Sequence, residues 1–74
     1  MPEPITLDVC GLEPPEPLER VLDALSTLQP GQQLVVTIDR EPHPLFRILR
    51  QDGYAYTSRL RPDYRYEICI EHQA

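Results

Sequence analysis

Lysine and tryptophan are absent from this chain of 74 residues, and cysteine, glycine and methionine number only two, three and one. Each shortage excludes something. All seven basic side chains are arginines, at positions 20, 40, 47, 50, 59, 61 and 65, against twelve carboxylates, for a formal charge of −5 and a pI near 4.8. That is the wrong sign for binding through phosphate neutralisation, so nucleic acid is not an expected partner. Two cysteines, Cys10 and Cys69, do not make the dense disulfide framework of small secreted domains, which predicts a reduced, cytoplasmic protein. No apolar run approaches the roughly 20 residues that span a bilayer, and Met1-Pro2-Glu3-Pro4 has no basic-then-apolar leader pattern. Neither membrane insertion nor export is expected. No repeat or low-complexity segment interrupts the sequence.

What is present is globular composition, 41% apolar and 26% charged. At this length the chain has room for one domain, residues 1–74, with an ordered core from about 4 to 71. Ile5, Leu7 and Val9 alternate with Thr6 and Asp8, which predicts a strand over 4–9 ended by Gly11. After Pro14, Pro15 and Pro17, the residues Leu18, Val21, Leu22, Leu25 and Leu28 recur at helical spacing. A first helix should start near Pro15 or Pro17 and run to Leu28, with Glu16 and Glu19 at its positive end.

Pro30-Gly31 marks a turn, and Leu34, Val36 and Ile38 alternate as a second strand. Leu45, Phe46, Ile48 and Leu49 predict a short helix over 44–52, closed by Gly53. Two β-rich runs, Tyr54 to Leu60 and Tyr64 to Glu71, flank Arg61-Pro62-Asp63 and predict a hairpin with a three-residue loop. Pairing Leu60 with Tyr64 puts Tyr56 opposite Ile68, Tyr54 opposite Ile70 and Thr57 opposite Glu67, with all four tyrosines on the core face. The other sheet face, carrying Thr6, Asp8, Gln33, Val35, Thr37, Arg59, Arg65, Glu67 and Cys69, is too polar for a second core. The expected fold is therefore an α/β two-layer sandwich of order β-α-β-α-β-β, with a four-stranded mixed sheet and both helices on one face.

Residues 7–17 read Leu-Asp-Val-Cys-Gly-Leu-Glu-Pro-Pro-Glu-Pro. This resembles the Leu-Asp-x-x-Gly-Leu-x-Cys-Pro-x-Pro opening of the TusA/SirA sulfur carriers, a family with the same element order. The resemblance places Pro14 where that family has its sulfur-carrying cysteine, so sulfur relay is not carried over to that position. Gly-Leu-x-Pro-Pro-Glu-Pro together with Arg-Glu-Pro-x-Pro-Leu at 40–45 is closer still to a TusA-like domain family of unknown function, DUF2249, from Leu7 to about Ile70. That likeness implies a redox, sulfur or nitrogen-oxide setting and names no activity.

Three segments could carry function. Pro14, Pro15 and Glu16 could form a docking surface at the start of the first helix, or only a rigid helix start. Cys10, near that helix start, could present a stabilised thiolate and replace the missing carrier cysteine, or be an inert loop thiol. Arg40, Glu41 and His43 lie in a loop held by Pro42 and Pro44. Arg40 and His43 could grip a carboxylate or phosphate with amides of Leu45 and Phe46, or the segment could be a structural turn in which Arg40 pairs locally. His43, His72 and the cysteines lack metal-site spacing, and no cofactor is expected. The leading expectation is a non-enzymatic binding or adaptor module for a protein partner or small anion, using Cys10 to Glu16 together with Arg40 to His43. The alternatives are a persulfide carrier using Cys10 and a subunit that dimerises through its open sheet face.

Overall fold

Apolar side chains at every second position of the strands, and at every third or fourth of the helices, bury themselves on one another in the computed structural model, which describes residues 2–73. The elements are β1 (Ile5–Asp8), α1 (Glu16–Leu25), β2 (Leu34–Ile38), α2 (His43–Gln51), β3 (Tyr54–Leu60) and β4 (Tyr66–His72). The sheet order is β1-β2-β4-β3, with β1 parallel to β2 and the other pairs antiparallel. This is the expected two-layer sandwich.

Val9, Leu34, Val36, Ile38, Ile68 and Ile70 face Val21 and Leu25 of α1 and Leu45, Phe46 and Leu49 of α2, and all are buried. Phe46 stacks on Tyr56 at 4.7 Å between ring centroids, and the Arg50 guanidinium donates to the Tyr56 hydroxyl at 3.0 Å. The opposite sheet face is open: Thr6, Asp8, Thr57 and Arg59 are exposed, and an Arg59–Glu67 ion pair of 2.7 Å bridges β3 and β4. Among the described residues no helix is long and apolar enough to cross a membrane.

Several boundaries differ from the expectation for local reasons. α1 stops at Leu25 rather than Leu28, because Ser26 and Thr27 turn their hydroxyls back to the carbonyls of Asp23 and Ala24, at 2.6 and 2.9 Å. Such back-bonding competes with further helix. Leu28 still reaches the core, and its carbonyl lies 2.8 Å from His72 Nε2 at the end of β4.

The hairpin departs more. Its loop is 61–65 rather than 61–63, so Leu60 pairs with Tyr66, Tyr56 with Ile70, Tyr54 with His72 and Thr57 with Cys69. Tyr64 adopts a left-handed φ of 64°, the Arg61 amide donates to the Arg65 carbonyl at 2.7 Å, and Asp63 Oδ1 accepts the Arg65 amide at 3.2 Å. These bonds close a five-residue loop that expels Tyr64 to 82% exposure instead of placing it in the core. Because the slip is two residues, the faces do not exchange, and Tyr54, Tyr56 and Tyr66 still pack on the core.

Candidate functional site

Parallel pairing of β1 and β2 brings their C-terminal ends together, so the loops that follow them leave the sheet side by side. Asp8 Oδ1 accepts the Cys10 amide at 2.9 Å, which turns the chain off β1. Gly11 follows with φ 79°, a conformation an L side chain resists. From the end of β2, Asp39 Oδ2 accepts the Gly11 amide at 3.0 Å and ties the two loops together.

Between the loops and the starts of both helices lies a cleft of about 570 Å3. Its walls are mostly apolar, from Leu12, the prolines at 14, 15, 17, 42 and 44, and Leu18, Val21, Ile38 and Leu45. Glu13, Asp39, Arg40 and Glu41 supply its polar groups. A second, shallower groove adjoins it along the outer side of α1, sharing Glu13, Pro14 and Pro15 and adding Glu16, Glu19, Arg20 and Asp23. Together the two surfaces carry six carboxylates against two guanidiniums, and Arg20 is already paired with Glu16 at 3.1 Å.

The sequence-predicted residues divide over these surfaces. Arg40, Glu41, Pro14 and Pro15 line the cleft, and Glu16 lines the outer groove. Cys10 and His43 line neither. His43 Nε2 stands 3.1 Å from Glu41 Oε1, and its ring meets the edge of Phe46, so the structure does not join it to Arg40 in one anion grip. The Phe46 amide, expected free, donates to the Pro42 carbonyl at 3.1 Å. Arg40 is exposed and makes no ion pair among the described residues, so the local pairing considered for it does not form.

Sequence reasoning passed over Asp39, which joins the loops, and the row Glu13, Glu19 and Asp23. The signal for Asp39 was its position directly after a strand that ends at the same level as β1. The acidic row was visible only as ordinary helix surface. Among the described residues no group of three or more His, Cys, Asp or Glu side chains could hold a metal ion.

Both cysteines are free. Burial pushes the Cys10 thiol above its ordinary range, the Asp8 carboxylate adds to this by its hydrogen bond and its charge, Arg65 opposes it, and Asp39 adds least. The expected stabilised thiolate is not what the loop favours. Asp8 shifts the other way, its carboxyl lowered chiefly by the Cys10 amide and thiol. The signs follow from linkage. Stability from the raised Cys10 is full below the ordinary thiol value of about 8.5 and is lost as pH climbs through the folded value, whereas that from Asp8 is present above about 3.9 and lost as pH falls through its lowered value.

At pH 8 iodoacetamide should therefore alkylate Cys10 more slowly in the folded chain than in urea, and Asp8→Asn should speed the folded reaction, as read by peptide mass. Faster alkylation folded than unfolded would contradict this electrostatic account.

No curated protein and no solved structure matches the chain. A family model described as "Uncharacterized conserved protein (DUF2249)" matches residues 6–72, nearly the whole chain, and the protein belongs to that family.

Proposed function

We propose that this chain is a non-enzymatic, TusA-like binding or adaptor module of the cytoplasm that receives a segment of a protein partner in the cleft between its two βα loops. The observation that carries this reading is the cleft itself: an apolar recess built from the proline motifs of both loops, at the end of the sheet where parallel α/β folds bind their ligands. The proline at position 14, where the resemblance would put a carrier cysteine, fits a module that binds without transferring sulfur. A small anion is the weaker occupant, because the carboxylates around the cleft outnumber Arg40.

The persulfide-carrier reading would need Cys10 to act as a nucleophile. Its raised pKa and its place off the cleft both weigh against that role. Dimerisation through the open sheet face is a third possibility that the polar character of that face disfavours.

A photo-crosslinking side chain installed at exposed Pro14, on the cleft, and separately at exposed Thr57, on the open face, tests the proposal in the producing cell. Partner adducts are expected from position 14 and not from 57. Adducts from 57 alone would make the sheet face the interface, and none from either position would equally overturn the cleft reading.

A further inference from the structure

Resting on that reading, we infer that the occupant is a partner segment that sets an apolar side chain into the cleft and lays arginines or lysines along the acidic row of α1. The apolar and acidic surfaces are continuous, because Glu13, Pro14 and Pro15 border both the cleft and the outer groove. They also run in parallel along the helix. Leu18 lines the cleft, Leu22 one turn on is exposed at 38%, and Glu19 and Asp23 follow each by one residue on the flank. An apolar row beside an acidic row is the complement of an amphipathic basic segment.

The acidic row is not accounted for within the chain. Glu13, Glu19 and Asp23 make no ion pair among the described residues, unlike Glu16. Glu16 and Glu19 in the first turn of α1 suit its positive end, but Asp23 lies near the opposite end, and the last turn has no basic residue. Glu19 and Asp23, four residues apart on one helix, repel each other. A basic ligand would relieve that repulsion, whereas a nucleic acid, an anionic lipid surface or an acidic peptide would increase it.

Panning random dodecapeptides on the immobilised full chain tests this. The enriched sequences should combine a Leu, Phe or Met with arginines or lysines, and their affinity should fall as ionic strength rises. The Glu13→Arg/Glu19→Arg/Asp23→Arg variant, altered only at exposed positions, should bind them at least about tenfold more weakly and select acidic peptides instead. Circular dichroism checks that the variant folds, and if it does not, Glu13→Gln/Glu19→Gln/Asp23→Asn takes its place with a smaller loss expected.

Enrichment of acidic or uncharged peptides that still crosslink from position 14, or affinity unmoved by the charge changes, would overturn the inference and leave the cleft standing as a binding site. No enriched peptide crosslinking from position 14 would overturn both.

Discussion

Replacing Leu49 by alanine should remove most or all of the net stability and leave a substantial fraction of molecules unfolded at 25 °C. Leu49 lies in α2 with none of its surface exposed, within the core cluster formed with β2 and β4. Truncating a buried leucine costs about 2–5 kcal/mol through lost transfer free energy and the cavity left behind. A core of this size supplies about 3–5 kcal/mol net, so one truncation consumes most or all of it. Urea unfolding followed by circular dichroism reads the outcome. A midpoint close to that of the parent would mean that α2 is not integral to the core. The comparison is Leu60→Ala at a position 55% exposed on the hairpin, where about 0.5 kcal/mol or less is expected.

Incubating the reduced chain with a sulfurtransferase and its sulfur donor should leave the intact mass unchanged, whereas the Pro14→Cys variant should gain one sulfur atom. Transfer requires a thiolate to attack the donor persulfide, forming a new S–S bond while the donor's own sulfur leaves as thiolate. Burial and the Asp8 carboxylate disfavour the Cys10 thiolate, and the chain turns at Gly11 before it reaches α1. A cysteine at exposed position 14 would instead stand beside the first turn of that helix, where the dipole favours a thiolate. Sulfur added to the parent chain and lost in Cys10→Ser, but kept in Cys69→Ser, would establish the carrier reading and overturn the adaptor proposal. Refusal by Pro14→Cys would remove the support that the resemblance to the TusA/SirA opening lends to position 14.

The two proposals about binding depend on different parts of the surface. The cleft is mostly apolar and formed by proline-containing loops, so in the first proposal it governs whether a partner segment is anchored at all. In the second the acidic row governs which segment is chosen, because charge at the rim acts mainly on selectivity and encounter rate. The expectations separate accordingly: a bulky charged side chain at Leu18, on the cleft wall, should abolish binding to every partner, and reversing the row should exchange one class of partner for another.

The layer order and the core were legible in the sequence because alternation and helical spacing report which side of an element turns away from water, and burial follows from that. Leu34, Val36 and Ile38 on β2 and Leu45 and Leu49 on α2 are read this way, and each is buried. The hairpin register was not legible. Arg61-Pro62-Asp63 satisfies a three-residue loop on composition, and only the hydrogen bonds that Arg65 makes to the Arg61 amide and the Asp63 carboxylate select the longer one. Parity is insensitive to a slip of two, so Tyr54, Tyr56 and Tyr66 keep the core face while the cross-strand partners differ and Tyr64 passes from the expected core into the exposed loop.

The candidate site shows the same division. By itself the sequence determined two proline-rich loops placed after two strands, and a net negative charge, since these depend on residue type and order along the chain. Only the tertiary structure decided that the loops share a cleft, that Asp39 ties them through the Gly11 amide, that His43 turns away to Glu41, and that the cleft and the acidic groove of α1 share Glu13, Pro14 and Pro15. Those are relations between residues up to tens of positions apart, set by parallel strand pairing and the packing of both helices on one sheet face, and no local pattern encodes them.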